Sequence, residues 1–177
     1  MTSILKVDNI QNAAGVAAIT IDSNGLVAPK VPVFSVSLTS NTPDNLASNN
    51  FHLVDFSGYG AVDFDNTNAW DTANEKWTPQ VAGYYNVHCT ATSGAGTLRA
   101  AGPSLYKNGS SYMNHHLWLQ SESYGDDITS SFTTIVYLNG STDYIQLYIY
   151  VYDSSSGTEM VVGGSRRTNF AAHFISS

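Results

Sequence analysis

The chain has 177 residues, only 12% of them charged, with a formal net charge of −7. That length suits one domain with a short appendage and a core that needs no covalent staple. The acidic balance argues against a nucleic-acid partner, since phosphate binding wants clustered Lys and Arg and Arg166-Arg167 is the only adjacent basic pair. The lone Cys89 excludes an intrachain disulfide framework and a multi-cysteine zinc site, and no run approaches the ~20 apolar residues of a spanning helix, so no membrane insertion is expected.

In MTSILKVDNIQNAAG, the residues Lys6, Asp8, Asn9, Gln11 and Asn12 break up the apolar ones before a signal-peptide core can form. Leu5, Val7 and Ile10 alternate loosely, the small-residue run AAGVAA follows, and ITIDSNGLV predicts a short hairpin turned at Asn24-Gly25. A hairpin alone is marginal in water, so this segment is expected to pack on its own domain, on its copies in an oligomer or on another protein. Pro29 and Pro32 mark a boundary, giving a segment 1–31 and a domain 32–177.

Period-two alternation dominates from there on. Phe34, Val36 and Leu38 share one face of a run, as do Val62 and Phe64 in the next. Trp70 and Trp77, two of only three tryptophans, bracket the hydrophilic turn Asp71 to Lys76 and are expected to close one end of a sandwich, with Pro79 and Gly83 shaping the next strand. Later runs align Tyr85, Val87, Cys89 and Ala91, then Phe132, Thr134, Val136 and Leu138, and last Phe170, Ala172 and Phe174. The clearest is YIQLYIYVY at 144–152: Ile145, Leu147, Ile149 and Val151 face one way, Tyr148, Tyr150 and Tyr152 the other. Asn108-Gly109 and Asn139-Gly140 are further hairpin signals. Many short strands at this spacing predict an all-β sandwich.

Groups with chemistry are few. His115-His116 on a strand would point to opposite faces and could not share one ion. By the same alternation Cys89 is inward and His88 outward, which disfavours a thiol–imidazole dyad. Glu122, Asp126 and Asp127 lie in SESYGDD, whose acid spacing fits no calcium motif even though hard cations want such oxygens. Both Asn-Gly-Ser sequons read as turns. No catalytic, cofactor-binding or metal-ligating residue is expected, and no enzymatic activity.

The run Asn68-x-x-Asp71-Thr72-Ala73-x-x-Lys76-Trp77-Thr78-Pro79-x-x-Ala82-Gly83-x-Tyr85 resembles the signature of the complement component 1q globular head. FSVSL at 34–38, SLYKNGS at 104–110, SSFTTIVYLNGSTDYIQLYIYV and NFAAHFI at 169–175 resemble further strands of that family, with Thr142-Asp143 where Gly-Asp is usual. The resemblance implies a ten-stranded jelly-roll sandwich of the tumour-necrosis-factor-like kind and a homotrimer. A row of rings on one strand face wants burial, so Tyr148, Tyr150 and Tyr152 are assigned to the trimer interface.

LKVDNIQNAAGVAAITIDSNGLV is similar to leader segments on virion proteins of tailed bacteriophages, which implies that residues 1–30 dock on another virion protein. The combined expectation is a trimeric knob or fibre in a bacteriophage virion, made in the bacterial cytoplasm and attaching to a host surface glycan or protein. The alternative is a capsid decoration protein bracing the shell. Ligand contact is expected from loops 93–99, 122–127 and 153–159, with Tyr124, Asp126 and Asp127 as first choices, because Gly, Ser, Tyr and acids offer adaptable hydrogen bonds.

Overall fold

A computed structural model describes residues 7–177 apart from 12, 16, 22, 26, 30, 95, 96, 125, 126 and 156; for 9, 17–20, 27–29 and 120–124 it describes the backbone alone. The chain divides into two compact units, Met1–Val31 and Pro32–Ser177. In the first, β1 (Asn9–Gln11), β2 (Ala17–Ile21) and β3 (Val27–Pro29) form a three-stranded antiparallel sheet in the order β1-β2-β3. The hairpin read from the sequence is β2–β3, with Gly25 at φ +79° in its turn. To it β1 adds a third strand.

The second unit runs β4 (Val33–Leu38), β5 (Leu46–Ala47), β6 (Asn50–Leu53), a single turn α1 (Phe56–Tyr59), β7 (Gly60–Asp65), β8 (Trp70–Asp71) and β9 (Lys76–Trp77). Then come β10 (Ala82–Gly94), β11 (Thr97–Lys107), β12 (Ser110–Asn114), β13 (Leu117–Tyr124), β14 (Ile128–Asn139), β15 (Ile145–Asp153), β16 (Thr158–Val161) and β17 (Asn169–Ser176). One sheet has the order β5-β16-β10-β17-β4-β7, with β14 also paired along β10; the other has β12-β11-β15-β9-β8, with β13 on β11 and β6 on β15. Long antiparallel ladders between strands distant in sequence make this an all-β jelly-roll sandwich.

Alternation fixes the core. On β15, Ile145, Leu147, Ile149 and Val151 are buried, facing Phe34, Val36 and Leu38 of β4, Tyr85 to Ala91 of β10 and Phe170 and Ala172 of β17 across the same cluster. Trp70 and Trp77 pair across the two-residue ladder β8–β9 and stack on the two sides of Phe34, at 5.1 and 5.2 Å between ring centroids. Trp77 is wholly buried and meets Tyr85 edge-on. Within the turn, the Asp71 carboxylate accepts from the backbone N–H groups of Ala73 and Asn74. The paired indoles are therefore a core plug, with the hydrophilic turn as its handle.

Val62 and Phe64 share one face of their strand as their spacing predicts, and that face is open, the two being 46% and 53% exposed. Their strand, β7, is an edge with β4 as its sole ladder partner, and the pairing slips between Ser35 and Val36. Asp63 between them accepts from Ser35 and Ser37. The carboxylate turns back onto β4, and both apolar residues stay in solvent.

Candidate functional site

The tyrosine face of β15 is largely occupied by its own chain. Tyr150 is only 8% exposed: its ring stacks on His116 (4.5 Å), packs on Phe51 (5.1 Å), and its hydroxyl donates to Asn49 Oδ1 at 2.9 Å. Tyr148 stacks on Tyr106 at 3.8 Å, and Tyr152 lies 5.6 Å from Trp118; both are half-buried. The cause is local. The link between β12 and β13 crosses over β11 at Gly102, where a Cβ would collide with the His115 carbonyl and lie 2.8 Å from the His116 Cα. Only glycine lets the chain pass there, and the crossing lays the His116 ring on Tyr150. The burial that motivated a trimer interface at Tyr148, Tyr150 and Tyr152 is thus supplied mainly within one chain.

The opposite outer face is bare at one end. Tyr84 on β10 and Tyr137 on β14 are cross-strand neighbours in edge-to-face contact at 5.4 Å, and they are 48% and 46% exposed. Ile135, on the same face of β14, is 57% exposed, and Tyr112, whose hydroxyl donates to the Ile135 carbonyl, is 47% exposed. The signal was legible: if Phe132, Val136 and Leu138 point inward, the opposite parity puts Ile135 and Tyr137 outward.

The three candidate loops meet at one end of the sandwich but are shorter than expected. Strand β10 runs to Gly94 and β11 starts at Thr97, while β13 reaches Tyr124 and β14 starts at Ile128. Tyr124 pairs through its backbone with Thr97; its side chain, and the whole of Asp126, lie outside the described residues. Asp127 is exposed and forms an ion pair with Arg167. In the third loop the acids are not on offer to a ligand. Asp153 is 1% exposed and Glu159 wholly buried. Alternation hid this, because both acids sit at strand ends where chain crossings cover them.

The histidines diverge, although they lie in the link between β12 and β13 and not on a strand as expected. His115 Nδ1 lies 2.9 Å from Ser130 Oγ on β14, whereas His116 Nε2 lies 3.2 Å from Ser104 Oγ on β11. Burial, then the neighbouring His115, pulls the His116 pKa below its ordinary value. Cys89 is fully buried, which pushes its thiol pKa far up, and His88 beside it faces outward to Thr133 and Thr90. A thiolate nucleophile is therefore not available at Cys89. Among the described residues no group of three or more His, Cys, Asp or Glu is placed to hold a metal ion.

No protein-family model and no curated protein matches the sequence. Among solved structures the chain is similar to murine APRIL, in a crystal structure at pH 8.0 with a TM-score of 0.58 and 9% identity. A second crystal structure of that protein, at pH 5.0, gives 0.56 and 10% identity. Each likeness covers 82% of this chain and 100% of that one. At such identity the likeness speaks for the fold, a tumour-necrosis-factor-like jelly roll.

Proposed function

We propose that the protein is a structural component of a bacteriophage virion: a homotrimeric knob whose head contacts the host surface and whose first 30 residues dock on another virion protein. The observation that carries the self-association is the bare end of the β10–β14 face. Tyr84, Ile135, Tyr137 and Tyr112 are each 46% to 57% exposed and adjoin one another. Soluble monomers seldom leave so many large apolar side chains together in water, and such a patch marks a protein contact. We place the trimer contact there instead of on Tyr148, Tyr150 and Tyr152.

The division at residue 31 supports a two-part reading, with a small β unit separate from the large sandwich. The leader-like sequence of the first unit is the reason for choosing a virion. Host contact is assigned to the sandwich end where Asp127, Arg167 and the tips of β10, β11 and β13 gather. Its expected chemistry is hydrogen bonding to a surface glycan or protein, with the ligand unchanged.

Two measurements test this. Sedimentation of the purified chain at micromolar concentration should give a trimer, and a monomer would end the proposal of self-association. A map of the intact particle should place the protein at a tail or head fibre. Density on the capsid lattice would instead make it a decoration protein, and absence from particles would remove the virion reading.

A further inference from the structure

Residues 42–49 cross the end of the sandwich against β15 and β16, where two carboxyl groups meet. Glu159 is wholly buried, and neither of its carboxyl oxygens has a hydrogen-bond partner. Asp153 is its opposite. One oxygen accepts from the Thr97 N–H (2.6 Å) and Thr97 hydroxyl (2.9 Å). The other accepts from the Ser155 N–H and hydroxyl (both 2.6 Å) and the Gly157 N–H (3.1 Å). With five donors aimed at it, Asp153 is a carboxylate. The ionisable groups facing Glu159 are Asp153 from β15 and Asp44 from the loop before β5, both acidic.

An ionised carboxyl buried without a donor, next to a second carboxylate, is heavily penalised, so Glu159 keeps its proton. Burial, then the neighbouring Asp153 carboxylate and the charge of Asp44, raise its pKa from 4.5 to about 8. Burial would raise Asp153 as well, but the donors from Ser155, Thr97 and Gly157 outweigh it and hold that pKa low.

The same pair carries the crossing segment. Leu46 is paired with Glu159, whose carbonyl accepts from the Asn45 N–H at 3.2 Å. The Ser48 hydroxyl donates to the Asp153 carbonyl (2.9 Å) and accepts from its N–H (2.8 Å). Beside the segment lies a partly open pocket of about 240 Å³, lined by Thr42, Asn45, Leu46, Leu53 and Val161 among others.

We propose that residues 42–49 form a strap that a protonated, buried Glu159 keeps closed and that alkaline conditions release. The closed strap favours protonated Glu159, whereas the released one leaves that carboxyl in water. The stability of closure is thus complete below the free value of 4.5, weakens as pH rises and is lost through about 8. Release uncovers Asp153 and Glu159 at the end of the head assigned to host contact.

Hydrogen exchange tests the strap in the full-length protein. The reporters are the N–H groups of Thr42, Asn45 and Asn49, which bond to Val161, Glu159 and Val151. After correction for intrinsic exchange, their protection should fall roughly a hundredfold between about pH 6 and about pH 9, while amides of central β10 hold theirs. Glu159→Gln keeps the shape without the titration and should flatten the response. Asp44→Asn, an exposed change that leaves folding intact, should shrink the fall by removing one of the charges that raises Glu159. Constant protection in the wild type, or an undiminished fall in Asp44→Asn, overturns the proposal even if the Gln variant fails to fold.

Discussion

The two outer faces of the sandwich both carry a row of aromatic rings, yet only one row is finished by its own chain. On β15, Tyr148, Tyr150 and Tyr152 are met by Tyr106, Phe51, His116 and Trp118, and the hydroxyl of Tyr150 has its partner in Asn49. On β10 and β14, Tyr84 and Tyr137 have each other, and Ile135 stays 57% exposed. Counting rings on a strand does not distinguish these faces. What separates them is whether another part of the chain crosses above, and at β15 that crossing depends on one glycine.

Substitutions on the two faces should therefore fail differently. Ile135→Asp puts a charge into the proposed trimer contact, where a buried unpaired carboxylate costs on the order of several kcal/mol. It should convert the trimer to a folded monomer in sedimentation, while Tyr152→Asp should leave the trimer intact. The reverse result would return the interface to the tyrosine face. Tyr150→Ala should act within the chain. It opens a cavity and strands Asn49, so it should lower monomer stability in denaturant unfolding by about 3 kcal/mol. Ile135→Ala, at an exposed site, should change monomer stability by less than about 0.5 kcal/mol.

Much of the fold was legible because alternation is a local signal. Ile145, Leu147, Ile149 and Val151 point where their parity says, and Asn108-Gly109 adopts the two positive φ values of a tight hairpin, 53° and 76°. At β7 parity puts Val62 and Phe64 on one face but does not say that this face, on an edge strand, is left in solvent. It was silent about Asp153 and Glu159, whose backbones are bonded to a segment about 110 residues earlier in the chain. Long-range covering also decided the tyrosine face. The sequence tells which way a side chain points, not what lies above it.

Acid should probe the loop end from the other side. Asp153 has a pKa held below its ordinary value of 3.8, so the stability it supplies is present above that value and is lost as pH falls through its folded value. Asp153→Ala leaves the N–H groups of Thr97, Ser155 and Gly157 without their acceptor and should cost roughly 2 kcal/mol near neutral pH. The cost relative to wild type should shrink in strong acid. A difference that does not change with pH would mean that Asp153 acts through packing and not through charge.

The smallest effect is expected from the largest change. Residues 1–31 form their own sheet, β1-β2-β3, and the cluster that fills the sandwich draws every member from Phe34 onward. Among the described residues, deleting 1–30 therefore removes no side chain from that core, and β4 keeps its ladders to β17 and β7. The melting temperature of the head should stay within a few degrees of the full-length value, because a shift of that size corresponds to only about 1 kcal/mol in a domain of this length. Incorporation into particles should be abolished. A truncated head that melts far lower, or fails to fold, would mean that the small sheet completes the sandwich. Normal incorporation without it would move the docking surface onto the head itself.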